Sequence, residues 1–365
     1  MRKFLFVLSI AVLIGFGSFG CSKNNDEESK DSDRAAEKIK IGLSFSDFAT
    51  ERWAVERDIM TKMLEDRGYE VIAQGANHDT KTQNDQIENM VTQGAKAILI
   101  VAEDGASCSI AVDKAARAGV PCVAYDRLIK TPKLACYISF DNVEVGRQQA
   151  RGVLKARDNG RFVMLGGSPT DNNAVLFRNG QMEVLQPLVD SGQIRIVADQ
   201  WVDNWEQEIA LRKMENILTS QKNEIDAVVA SNDGTALGAI QALKAQKLNG
   251  KVPISGQDAT AAGCRSIVDG DLTMTVFKDV RKLTPLAVDI AIKLANGEQI
   301  EGLENFSLAE LTLERNLKGE VPCKFLNVVQ VDKSNIYDVV VKSGFQKWEE
   351  VYAGVPEDER PPKPE

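Results

Sequence analysis

The side chains with chemistry to offer cluster just past short apolar runs. Glu51, Arg52 and Trp53 follow IKIGLSF, Asp126 and Arg127 follow the VAY of VPCVAYD, and Asp171, Asn172 and Asn173 follow MLGGSPT. Further on, Trp201 and Trp205 follow IVAD, Asn232 and Asp233 follow VVAS, Gln257 and Asp258 follow ISG, and Lys278 follows MTVF. Amides, carboxylates and guanidinium groups each make paired hydrogen bonds, so together they can hold vicinal hydroxyls, donating to one oxygen and accepting from the next. Indole rings add flat apolar faces suited to the C–H face of a pyranose at little entropic cost. Taken singly, an indole is more often packing than ligand contact, and a lone Asp or Arg more often an ion pair or helix cap. What carries weight is the whole set at strand ends.

Charge narrows the ligand class. If one cleft holds them all, Arg52, Arg127 and Lys278 are offset by Asp126, Asp171 and Asp258. Buried charges must be paired or hydrogen-bonded, and an anionic ligand would require a positive excess that this set lacks. A neutral polyol fits better. Paired acids such as Asp126 and Asp258 could in principle process a glycoside, but flanked by cations they read as hydroxyl acceptors. The expectation is a binding protein and not an enzyme.

The elements that must position these residues follow from a repeating rhythm of strand-like runs and amphipathic helices, as in successive βα units of parallel sheets. In the first half the strands are IKIGLSF, YEVIAQ, AKAILIV, VPCVAYD and ACYISFD, with helices from Glu51, Lys81, Ser107 and Glu144. A second series has strands RFVMLGG, IRIVADQ, IDAVVAS, KVPISG and LTMTVFK, with helices from Asn173, Trp205, Gly234, Ala261 and Arg281. Thr50 stands where a cap would start the first helix, and Gly68 where a left-handed residue would end it. Open parallel sheets bind ligands beyond their strands' carboxyl ends, where the polar residues lie. The stretch 297–321 reads as irregular with one strand, SLAELTLE. A strand at CKFLNVVQV and a helix from Ser334 to Gly344 follow, and the acidic, proline-rich 347–365 reads as a poorly ordered tail.

The chain has 365 residues and a formal charge of -9, too long for one typical core and without the basic footprint of a nucleic-acid binder. Arg2 and Lys3 before the apolar run Phe4 to Phe19 read as an export signal over 1–20, and Ser18-Phe19-Gly20 before Cys21 resembles a lipoprotein signal. Residues 21–38 would then be a linker anchored to the membrane by lipid on Cys21. None of the six cysteines forms a C-x-x-C pair, and the single histidine, His78, leaves no His-based triad. Cys122 and Cys136, inside apolar runs, read as buried thiols. Leu165-Gly166-Gly167-Ser168 lacks a full dinucleotide fingerprint and reads as a tight turn. No cofactor or metal is indicated.

The stretches ERWAVERDIM, TQNDQIENM, AYDRLI, YISFDN, GGSPTDNNAVLFRNGQM, VDSGQI, DQWVDNW, EIDAVVASND, GAIQAL, SGQDA and TMTVFK resemble the ribose-type periplasmic sugar-binding proteins, in order from Lys38 to about Lys347. DNNA, QWVDNW and SGQDA resemble their D-xylose-binding branch. The resemblance implies two Rossmann-like α/β lobes joined by a three-segment hinge, the type I periplasmic binding protein fold, closing around a monosaccharide. It implies sugar contacts from Arg52, Trp53, Asp126, Arg127, Asp171, Asn173, Trp205, Asn232, Asp258 and Lys278. Expected crossings near 140–142, 276–278 and 321–324 would divide the chain into 39–140 plus 279–321 and 141–278 plus 322–346. Implied partners are D-xylose or a related aldose such as glucose, ribose or arabinose, the permease and ATPase of an ABC importer, and a chemoreceptor. A sugar-responsive transcription regulator would need a helix-turn-helix headpiece where this chain has its export signal.

Overall fold

The computed structural model describes residues 38–48 and 50–364; the expected signal peptide, Cys21 and the linker up to residue 37 lie outside the described residues. The first series runs β1 (Lys40–Phe45), α1 (Glu51–Glu65), β2 (Glu70–Gly75), α2 (Thr80–Thr92), β3 (Ala95–Ile100), α3 (Cys108–Arg117), β4 (Cys122–Tyr125) and β5 (Cys136–Phe140). The second runs α4 (Asn142–Ala156), β6 (Gly160–Gly166), α5 (Asn172–Asp190), β7 (Ile194–Trp201), α6 (Gln207–Ser220), β8 (Ala227–Ala230), α7 (Asp233–Ala245), β9 (Ser255–Gln257), α8 (Ala261–Asp269) and β10 (Met274–Phe277). After them come α9 (Val280–Ala295), β11 (Glu304–Ser307), α10 (Leu308–Thr312), β12 (Glu320–Leu326), β13 (Val329–Asp332) and α11 (Trp348–Val351).

Seven strands form the first sheet in the order β11-β12-β5-β4-β3-β1-β2, parallel except for the edge strand β11. The second lobe is built on β7-β6-β8 and β9-β10-β13, two three-stranded pieces joined by a single parallel bridge between Val228 and Ile254. Strand periodicity explains why both faces of the first sheet need helices. Leu99 and Val101 enter a core shared with α1 and α9, while Ile98 and Ile100 enter another shared with α2 and α3. A strand apolar on both sides cannot face water on either, and truncating one such residue, Leu99→Ala, would cost about 2–5 kcal/mol.

Packing shows where the chain changes lobe. α4 follows β5, yet its Ala150 and Val153 pack with Phe162, Met164 and Leu185 of the second lobe. α9 follows β10, yet Leu283, Ala287 and Val288 join Ile41 and Leu43 of the first. The third passage differs from expectation. CKFLNVVQV is not one strand: β12 pairs with β5 as far as Leu326 opposite Phe140, whereas β13 pairs antiparallel with β10. The crossing therefore lies at Asn327–Val328 and not at 321–324, because the register with β5 holds the chain in the first sheet until then.

Three other expectations are corrected. Thr50 makes no side-chain cap; instead its N–H donates to Asp47 Oδ1 at 2.6 Å. LAELT is helical, since Ser307 and Glu310 form a reciprocal capping box that starts α10 directly after β11. The carboxyl-terminal segment is packed and not loose. Val351 and Tyr352 are buried in the second lobe's core, Trp348 Nε1 donates to the Pro361 carbonyl at 3.0 Å, and Tyr337 Oη donates to that of Pro362 at 2.8 Å.

Candidate functional site

Loops at the carboxyl ends of both sheets meet around one cavity of about 40 Å³, lined by Thr50, Arg52, Trp53, Asp126, Arg127, Asp171, Asn173, Phe177, Trp205, Asn232, Gln257, Asp258 and Lys278. All ten residues anticipated from sequence are brought together in it. The lining also includes Gln257, which sequence reading placed at a strand end, Thr50, which it read as a helix cap, and Phe177, which it did not single out. Phe177 sits inside α5 with nothing but helical spacing to mark it.

From the first lobe, α1 begins with Arg52 and Trp53. Trp53 is almost fully buried, with the Arg52 guanidinium 4.2 Å above its ring and that of Arg127 5.5 Å away. Arg52 Nε donates to Glu56 Oε1 at 2.6 Å, one turn on, and Nη2 donates to Asp126 Oδ2 at 3.1 Å. Glu56 also accepts from the Tyr125 hydroxyl, which stands 3.0 Å from Thr284 Oγ1 on α9. This buried support was missed from sequence, although Glu56 follows Arg52 by four residues, the spacing that places two side chains on one helical face.

At the end of β4 the chain turns sharply, with Asp126 in the left-handed region at φ 61°. Its carbonyl accepts from Ser139 Oγ at 2.7 Å, Asn173 Nδ2 at 3.0 Å and Tyr137 Oη at 3.1 Å. Three contacts on one oxygen offset a strain on the order of 1 kcal/mol. Trp205 and Asp258, also in the lining, share this backbone feature at φ 61° and 98°.

The second lobe contributes largely through helix starts. Asp171 caps α5 by accepting from Asn173 N–H at 2.9 Å, and its other oxygen accepts from Trp205 Nε1 at 3.2 Å. Asn232 caps α7 by accepting from Thr235 N–H at 2.8 Å and also lines the cavity. Trp205 packs edge-on to Phe177 at 6.2 Å. Gly167 is what admits it: a Cβ there would lie 1.9 Å from the indole ring. The LGGS segment therefore serves to clear space for an aromatic ring, where sequence suggested only a tight turn.

Ions bridge the lobes. Arg127 Nε lies 2.9 Å from Asp171 Oδ2, Arg52 Nη1 lies 3.6 Å from Asp258 Oδ1, and Lys278 Nζ, from the crossing after β10, lies 3.6 Å from Asp126 Oδ2. Burial pushes the Asp126 carboxyl up, but Arg52, Lys278 and Arg127 outweigh it and hold the group below its ordinary range. For Asp171 burial wins, and the carboxyl is raised despite Arg127 and the Asn173 N–H. Arg52 lies between Asp126 and Asp258, which suits two carboxylates that accept hydrogen bonds and ill suits an acid and base flanking a glycosidic bond. Two buried polar atoms in the lining have no partner: Trp53 Nε1 from the first lobe and Gln257 Oε1 from the second. One is a donor and the other an acceptor, the complement of a hydroxyl.

Among the described residues no helix is long and apolar enough to cross a membrane. Residues 41–299 match the family model of the periplasmic binding protein domain. The D-xylose-binding periplasmic protein of Escherichia coli strain K12 is 48% identical over 316 residues, covering 87% of this chain and 93% of that protein. Its counterpart in Haemophilus influenzae is 48% identical over 314 residues, covering 86% and 92%. Among solved structures, an ABC transporter solute-binding protein from Clostridium phytofermentans with bound β-D-glucose superposes with a TM-score of 0.76 at 30% identity, covering 86% of this chain and 99% of that one. Fold, cavity and these similarities together establish that the chain belongs to the periplasmic binding protein family, in its ribose-type sugar-binding group.

Proposed function

We propose that this chain captures D-xylose between its lobes and presents the closed form to the permease and ATPase of an ABC importer, held at the membrane by lipid on Cys21. The observation that carries the sugar reading is the pair of unpartnered buried atoms, Trp53 Nε1 and Gln257 Oε1, on lining residues from opposite lobes of a cavity whose three cations and three carboxylates balance. A neutral ligand that both donates and accepts satisfies those atoms without disturbing the balance. Trp53 and Trp205 supply apolar faces for its C–H bonds. The identity to proteins named for D-xylose supports a pentose. Ligand bound between the lobes favours closure because only the closed form offers both sets of contacts.

Calorimetric titration with xylose, glucose, ribose and arabinose tests the reading. Tightest binding to xylose, one per chain, is expected. Tighter binding of another aldose overturns the specificity, and turnover of xylosides by the protein overturns the receptor role. Mass spectrometry of the mature protein from membranes tests the anchor: a diacylglyceryl adduct on Cys21 is expected, and a soluble product lacking it refutes the anchor.

A further inference from the structure

At the same carboxyl end of the first sheet, but outside the sugar cavity, three strand-end loops bring together Asp47 after β1, His78 after β2 and Glu103 after β3. One donor atom from each lies within 4.8 Å of the other two. His78 Nδ1 is 3.1 Å from Glu103 Oε2, and Nε2 is 3.8 Å from Asp47 Oδ1.

Charge gives the first argument. Asp47 is 1% exposed and Glu103 7%, yet among the described residues no lysine or arginine pairs with Asp47. The cation nearest Glu103 is Arg127, whose Nη1 is 3.9 Å away while its Nε is engaged by Asp171 at 2.9 Å. Buried carboxylates are stable when paired, hydrogen-bonded or coordinating a metal; Asp47 accepts two neutral hydrogen bonds, and the imidazole is the cationic partner nearest to both acids. Donor chemistry gives the second. One imidazole nitrogen with two carboxylate oxygens leaves an open position for water, a set that Zn²⁺ takes with bonds of about 2.0–2.2 Å. Two ligands on such an ion stand about 3.3 Å apart; the two short distances involve different ring nitrogens, so one ion held through Nδ1 beside Glu103 requires Asp47 to move in from as much as 4.8 Å. The nitrogen donor disfavours Ca²⁺ and Mg²⁺, which prefer oxygen alone. Ser46 Oγ donates to Asp47 Oδ2 at 2.9 Å and Thr50 N–H to Oδ1 at 2.6 Å, orienting the carboxylate as outer partners do in metal sites. His78 is partly exposed, which gives an ion a route in from solvent.

The geometry points to a divalent-cation site formed by Asp47, His78 and Glu103, with zinc the ion its donors suit. It sits where it would fasten the cleft's rim. Asp47 holds the backbone at Thr50, directly before the helix that carries Arg52 and Trp53, and the Glu103 carbonyl accepts from Thr170 of the second lobe at 3.3 Å. The proposal does not depend on which sugar the cavity takes.

The test is calorimetry of the full chain with zinc chloride, together with melting curves in zinc and in EDTA, for the wild type and His78→Ala. His78 is the chain's only histidine, so one substitution removes all imidazole. Expected are one zinc per chain and a melting temperature raised by several degrees in the wild type, with at least a tenfold loss of affinity and no such rise in His78→Ala. Cooperative melting of the variant in EDTA shows that it is folded. Absence of binding to the wild type at millimolar zinc overturns the proposal. So does wild-type affinity in His78→Ala, which would mean adventitious surface carboxylates only.

Discussion

The two lobes grip the same cavity by different means. In the first, the contacting groups belong to an ion network with depth: Arg52 and Asp126 hold each other, and Glu56, Tyr125, Tyr137 and Ser139 stand behind them. In the second, Asp171 and Asn232 are helix caps with one oxygen already committed to a backbone N–H. A cap is positioned by its helix and needs little support. A guanidinium on a long flexible stem does, because fixing its rotamers costs about 1.5–2 kcal/mol. The comparison teaches that the first lobe's side chains depend on buried neighbours for their geometry, while the second lobe's depend on backbone.

The sharpest way to break this contrast is Arg127→Ala. It strands the buried Asp171 carboxylate, which is 3% exposed, and removing one member of such a pair costs about 2–5 kcal/mol, or roughly thirtyfold to several thousandfold in affinity. Xylose titration checks it, and a loss under threefold would mean that the ion network is not the grip. Next comes Gly167→Ala on the second side. Its methyl would displace the Trp205 indole and break the bond to Asp171, for an expected loss of about tenfold or more, as for other buried aromatic anchors. Tryptophan fluorescence alongside titration would show the indole moving.

A milder change separates gripping from closing. Asn172 does not line the cavity; its Nδ2 donates at 2.7 Å to the Leu311 carbonyl across the lobes. Asn172→Ala should weaken sugar binding by about fivefold, the worth of one hydrogen bond of about 1 kcal/mol that forms on closure. Small-angle scattering with and without xylose should show a less complete closure at equal saturation. Unchanged affinity would place the closing energy wholly inside the cavity.

A last change concerns pH and stability, not affinity. Burial, then the nearby Asp258, push the Asp233 carboxyl up to about 7 against hydrogen bonds from Thr275 and Thr260. The folded chain therefore keeps this proton to higher pH than the unfolded chain does. Its contribution favours folding in acid and is lost as pH rises from the ordinary carboxylate range towards about 7. Asp233→Asn should remove that downward trend from a plot of melting temperature against pH. A variant curve parallel to the wild type would refute it.

Much of this was legible in the residue order because strand ends carry it. Short apolar runs mark the strands, ligands gather past their carboxyl ends, and there the unusual side chains stand. What was not legible depends on contacts distant in sequence. Nothing local in CKFLNVVQV says that β12 leaves the first sheet at Leu326; the register with β5 decides it. The proline-rich tail reads as loose until Trp348 and Tyr337 are seen to donate to the carbonyls of Pro361 and Pro362. Two signals were present and passed over: the Ser307–Glu310 spacing of a capping box and the four-residue step from Arg52 to Glu56. Left-handed backbone at Asp126, Trp205 and Asp258 had no marker, since none of them is glycine.

Cys108, Cys122, Cys136, Cys264 and Cys323 are all reduced and buried in this fold. Burial drives the thiols of Cys108, Cys122, Cys136 and Cys323 up to about 12, and that of Cys264 up as well. Because exchange and oxidation proceed through the thiolate, the folded chain offers an oxidising compartment almost no reactive sulfur among its described residues. Disulfide exchange can therefore reach these five cysteines chiefly while the chain is unfolded, so the rate at which the cores close over them sets how long they stay reactive.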